Sequence, residues 1–102
     1  LLDCGYSVLR LNLRGWGPSR AYCREHYHLG RTADFRRVLS QMPEDLTRNG
    51  IVAVGYSLGG AMLLKYLGEE GGFSPLRGAA TICAPIDLLR TCRHMTRPRN
   101  WL

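Results

Sequence analysis

The sequence predicts an α/β fold, a three-layer sandwich with a mostly parallel sheet, and three observations carry that expectation. The run "IVAVG" at 51–55 is continuously apolar, as in a strand buried on both faces of a parallel sheet. The run "RGAATICA" at 77–84 reads the same way and is closed by Pro85. Between them, "GAMLLKYLGEEGG" reads as a helix ended by glycines. An alternation of strand and helix implies right-handed crossovers and helices layered on a sheet.

The remaining elements follow in chain order. "LLDCGY" at the start reads as the end of a helix rather than its beginning. Residues 7–14, "SVLRLNLR", alternate Leu9, Leu11 and Leu13 with Arg10, Asn12 and Arg14, which predicts a strand with one polar-lined face. Gly15, Gly17 and Pro18 then force a loop, and no period emerges through "RAYCREHYHLG". "TADFRRVLSQM" places Phe35, Val38, Leu39 and Met42 on one helical face, with Thr32 as the expected N-cap and Pro43 as the stop.

Composition bounds the function classes. The chain has 102 residues, at most one domain, with 45% apolar and 22% charged residues, a globular balance. Leu at position 1 and the uncapped ending "RPRNWL" suggest a piece of a longer protein, truncated at both ends. The net charge of +6 comes almost entirely from arginine, Lys65 being the sole lysine. These arginines are spread along the chain without a long run, so a nucleic-acid footprint is not expected. One local cluster, Arg90, Arg93, Arg97 and Arg99, has the composition of an anion site or of a solvated terminus. Cys4, Cys23, Cys83 and Cys92 show no C-x-x-C and no zinc spacing with His26, His28 or His94. Neither a metal nor a cofactor is expected, Cys83 reads as a buried thiol, and a reduced, cytoplasmic setting is the default. No stretch approaches the roughly twenty apolar residues of a membrane helix.

The stretch that carries chemistry is "VAVGYSLGGAMLLKYL" at 52–67. "GYSLG" fits G-x-S-x-G, the turn that raises a serine above a sheet edge between a strand and a helix. The five-letter pattern is weak alone, and its flanks carry the weight: an apolar strand enters at Gly55 and a helix opens after Gly59. The expected nucleophile is Ser57, with Leu58 N–H as an oxyanion donor at the positive end of the helix. Tyr56 completes the turn, Gly55 and Gly59 clear the neighbouring strand and helix, and Gly60 adds room for a close approach. The competing reading is a strand–turn–helix join with an incidental serine. Dinucleotide and P-loop readings fail, because "GYSLGG" has the wrong spacing and "GGAMLLK" lacks the Gly-Lys-Ser/Thr ending.

A serine nucleophile needs a base and an acid, which follow such an elbow in the order Ser, Asp or Glu, His. Downstream of Ser57 the only Asp is Asp87 and the only His is His94. Their order fits, but seven residues leave no strand to carry the histidine back over the sheet. Asp87 reads rather as a cap or loop residue, and His94 as a surface or lid residue. His26 and His28 precede the serine and read as loop-packing residues, while "RGWG" at 14–17 reads as a turn bringing Arg14 and Trp16 near the elbow.

The chain resembles the YheT-type α/β-hydrolases, esterases related to abhydrolase-domain lipases and to yeast medium-chain acyltransferases. The resemblance runs from about Ser7 to Leu102 on "LNLRGWG", "HYHLGRTADFRRVL", the elbow and "GAATICAPIDL". Its most specific elements are Asn12, Arg14 and Gly15, then Tyr27, His28 and Gly30, then Gly55 to Gly60. The resemblance implies the middle of an α/β-hydrolase domain with Ser57 as nucleophile. It also implies an acid and a base beyond residue 102 and a second oxyanion donor before residue 1. Trp16 departs from the small residue or Cys usual in relatives and bears on the shape of a pocket wall. The implied activity is hydrolysis of a small-molecule acyl ester or lipid through an acyl-enzyme on Ser57. An acyltransferase using the same serine, and a non-catalytic binding module, are the alternatives.

Overall fold

The structure, a computed structural model, describes residues 1–98. Its frame is a parallel pair of strands, β1 (Ile51–Tyr56) and β2 (Leu76–Ile82), joined by the helix α3 (Leu58–Glu70). The register sets Val52 beside Gly78, Val54 beside Ala80 and Tyr56 beside Ile82. Before this unit come α1 (Thr32–Ser40) and the single turn α2 (Glu44–Thr47); after it comes α4 (Leu88–Met95). Residues Leu2–Cys4 form one 3-10 turn, and Gly17–Ala21 another.

The β-branched run Ile51, Val52 and Val54 suits an extended, laterally packed strand. Ala61, Met62, Leu63, Leu64 and Lys65 are strong helix formers and carry α3 without a break. Gly71 ends it at φ 55, a left-handed conformation that glycine adopts without steric cost.

The core lies between the sheet and α3 and between α3 and α1. Met62, Leu63 and Tyr66 are the buried hydrophobic side chains among the described residues. Burying an apolar side chain of that size contributes roughly 1.5–3 kcal/mol. Tyr66 meets Phe35 of α1 edge-on, ring centroids 4.9 Å apart, while the Arg36 guanidinium lies 5.7 Å from the centre of its ring. Arg36 also pairs with Glu70 at 2.6 Å and Glu69 at 3.3 Å, so charge and aromatic contacts share one helix–helix seam.

Several expectations need correction. Residues 7–14 alternate as a strand does but form none, because a strand exists only through ladder hydrogen bonds and this segment pairs with neither β1 nor β2. Leu9 is 62% exposed, so no layer covers its apolar face. The strands expected to be buried on both faces are covered on one: α3 lies against one side, while Val52, Val54, Tyr56 and Ile82 are exposed on the other. Thr32 does not cap α1. Arg31 holds that position, and Thr32, inside the helix and buried, donates its hydroxyl to Glu69 instead. β2 stops at Ile82, leaving Cys83 exposed at φ 54 rather than buried. Among the described residues no helix is long and apolar enough to cross a membrane, and no cluster of His, Cys, Asp and Glu could hold a metal ion.

Candidate active site

Ser57 stands where β1 ends and α3 begins, at φ 49 and ψ −120. This is a backbone region that side chains rarely occupy, at a cost of about 1–3 kcal/mol. Both neighbouring peptide units hold it there. Its N–H donates to the Ile82 carbonyl at 2.9 Å, extending the ladder, and its carbonyl accepts from Ala61 N–H at 3.0 Å, opening the helix. The side chain makes no capping bond and is exposed, so the hydroxyl is not committed to the helix end.

The close approach of strand and helix rests on Gly55 and Gly60. A Cβ on Gly55 would lie 2.7 Å from Gly60 Cα, and one on Gly60 would lie 2.9 Å from the Gly55 carbonyl oxygen. Gly59, expected to clear a neighbour, faces open space instead. The glycine that makes room is therefore the second of the pair after Leu58, one position later than the pentapeptide suggests.

With Ser57 N–H engaged in the ladder, the next backbone donor is Leu58 N–H. It belongs to the first turn of α3, whose amides have no intrahelical acceptor and carry the positive end of the helix dipole.

A hollow of about 390 Å³ opens over the serine. Tyr56, Ser57, Leu58 and Gly59 form one wall. Leu11, Asn12, Leu13, Trp16 and Tyr27 form the other. Trp16 is thus a pocket wall, and the failed strand at 7–14 contributes its end to the site. Asn12, Tyr27, Tyr56 and Ser57 supply polar side-chain atoms in a largely apolar lining. Tyr27 belongs to the loop without a period; Tyr-His-x-Gly marked it, but nothing in its spacing indicated contact with the elbow.

The second wall is braced from α1. Arg14 grips Asp34 with two hydrogen bonds, 2.8 and 2.5 Å, and its carbonyl accepts from Tyr27 N–H at 3.0 Å. The hydrogen bond from Arg14 holds the Asp34 carboxyl below the usual carboxylate range, and the same pairing raises the guanidinium above its own ordinary value. Burial pushes the Tyr27 hydroxyl above its ordinary value, which keeps it protonated and able to donate. His28 turns back on its own loop, accepting from Gly30 N–H at 3.2 Å, and the His26 ring packs by Gly15.

Asp87 caps α4: its Oδ1 accepts from Arg90 N–H at 2.9 Å. His94 lies in the last turn of that helix. Neither lines the hollow over Ser57. Arg90, Arg93 and Arg97 are exposed on and just beyond α4, while Arg99 lies outside the described residues.

The chain is similar in sequence to known proteins. The profile of the α/β hydrolase fold matches residues 1–99. The medium-chain fatty acid ethyl ester synthase/esterase 2 of Saccharomyces cerevisiae is 39% identical over 92 residues, 90% of this chain and 20% of its own length. The human phospholipase ABHD3 is 29% identical over 100 residues, 98% of this chain and 24% of its own. YheT of Escherichia coli is 31% identical over 93 residues, 91% of this chain and 27% of its own. The chain thus spans about a fifth to a quarter of the length of these relatives. No solved structure matches. A parallel strand pair, its crossover helix, a strained serine at their junction and a match across nearly every residue lead to one conclusion: the chain belongs to the α/β-hydrolase family.

Proposed function

We propose that this chain is the nucleophile-bearing part of a serine esterase acting on carboxylic esters of the acyl or lipid type. One observation carries the reading: Ser57 is held at φ 49 between β1 and α3 with its hydroxyl uncommitted, beneath a largely apolar hollow. A serine present only to join a strand to a helix has no reason to bear such strain, and glycine would fill the position at lower cost.

In this reading Ser57 Oγ attacks the ester carbonyl carbon while a base takes the hydroxyl proton. The carbonyl oxygen becomes an oxyanion that accepts from Leu58 N–H. The C–O bond to the leaving alcohol breaks, the base returns the proton to the alcohol, and an acyl-enzyme remains. Water, deprotonated by the same base, then attacks the acyl carbon and releases the carboxylic acid, and Ser57 regains its proton. Asp87 is engaged as a helix cap, so the acid and base are assigned, as the resemblance implies, to segments of the full-length protein beyond these 102 residues. A second reading exchanges water for an alcohol and gives an acyltransferase; the yeast relative, a fatty acid ethyl ester synthase/esterase, favours this alternative.

The test is hydrolysis of p-nitrophenyl esters by the full-length protein, with and without an added alcohol. Ser57→Ala is expected to lower turnover by at least about a thousandfold without loss of folded protein. Full activity in that variant would remove Ser57 from the chemistry. Ethyl ester appearing at the expense of free acid when ethanol is added would select the transferase reading.

A further inference from the structure

Tyr27 ties together the two walls of the hollow. Its backbone N–H donates to Arg14 at 3.0 Å, in the turn that Asp34 fixes, and its hydroxyl donates to the Leu58 carbonyl at 2.9 Å, across 31 residues of chain. Leu58 is the residue whose N–H faces the developing oxyanion. The rigid peptide unit before its Cα, which contains that N–H, is held by Ala61 through the Ser57 carbonyl. The unit after its Cα opens the α3 ladder, and Tyr27 holds it a second time through the Leu58 carbonyl. With both units fixed, Leu58 keeps its φ and ψ, and its N–H keeps its direction.

We infer that Tyr27 is a positioning residue for the oxyanion donor at the elbow, acting through the Leu58 carbonyl rather than on the substrate. The inference rests on the reading of Ser57 as nucleophile. A donor aimed at the oxyanion acts most strongly once negative charge has developed, so loss of its alignment falls on the chemical step more than on substrate binding. The ring of Tyr27, which forms the wall of the hollow, is a separate matter from its hydroxyl. Tyr27→Phe removes one and keeps the other.

In the full-length protein, Tyr27→Phe is expected to lower kcat for a p-nitrophenyl ester about tenfold, counted per serine titrated by a fluorophosphonate, with KM held within about twofold. Affinity for an arylboronic acid, whose tetrahedral adduct on Ser57 needs the same donor, falls by a similar factor. Asp34→Asn, which loosens Arg14 at the far end of the strut, is expected to lower kcat about threefold at unchanged KM and serves if Tyr27→Phe does not fold. Unchanged kcat and boronate affinity, in Tyr27→Phe or failing that in Asp34→Asn, overturn the inference. So does a raised KM with kcat per titrated serine intact, which would make Tyr27 a wall of the pocket only. Absence of fluorophosphonate labelling at Ser57 in the unmodified protein fails the esterase reading itself, a distinguishable outcome.

Discussion

Ser57 occupies a conformation that glycine would occupy without strain, and that difference can be measured. Ser57→Gly removes roughly 1–3 kcal/mol of backbone strain and adds back about 0.5–1 kcal/mol of unfolded-chain entropy. The expected net is a stabilisation of about 1 kcal/mol, seen as a higher unfolding midpoint, with esterase activity lost. Ser57→Ala keeps the strain and should leave the midpoint near its original value. Equal midpoints for all three forms would mean that the turn is not strained in solution. At this scale the sequence was most informative. "GYSLG" between an apolar run and a helical run located the serine, because the pattern encodes a backbone shape. The partner residues were less legible: Asn12 and Tyr27 reach the site through tertiary contacts that leave no local spacing behind.

The strand–helix unit makes its own claim, which concerns glycines. Gly55 and Gly60 approach so closely that a methyl on either meets backbone atoms at under 3 Å. Gly55→Ala and Gly60→Ala are each expected to cost about 2–4 kcal/mol or to prevent folding, since backbone cannot rotate aside as a side chain can. Gly59→Ala meets open space on α3 and should be neutral or slightly stabilising, within about 1 kcal/mol. Chemical denaturation of the three variants checks the ranking, and equal losses at Gly59 and Gly60 would contradict it. Element type was readable where local composition decides it, at β1, α3, β2 and most of α1. It failed at 7–14, where alternation fits a strand but the ladder depends on a partner that sequence alone does not reveal. Thr32 misled for a related reason: its hydroxyl finds Glu69 across the α1–α3 seam, a contact 37 residues away that outcompetes the local cap.

The molecule as a whole is thinly packed. Its radius of gyration is 15.6 Å, where a compact chain of this length would have about 13 Å. Val52, Val54, Tyr56 and Ile82 form an exposed apolar sheet face beside the serine, and such contiguous faces on soluble proteins mark surfaces that pair or aggregate. The 102-residue chain produced alone is therefore expected to hydrolyse p-nitrophenyl esters no faster than its Ser57→Ala variant. Turnover lost on that substitution would contradict this and return Asp87 and His94 to candidacy as acid and base. Fold class was legible at this scale because alternating apolar runs constrain topology, whereas a face left uncovered has the same sequence as one that is buried.

The central claim is that Ser57 is a nucleophile, and covalent trapping addresses it most directly. The full-length protein would be incubated with a fluorophosphonate, digested, and its peptides mapped by mass spectrometry. The account predicts one phosphonyl group on the peptide containing Gly55 to Gly60, at Ser57, absent when Ser57→Ala is treated in the same way. A folded protein that acquires no adduct at Ser57, or that is labelled equally in the variant, would contradict it.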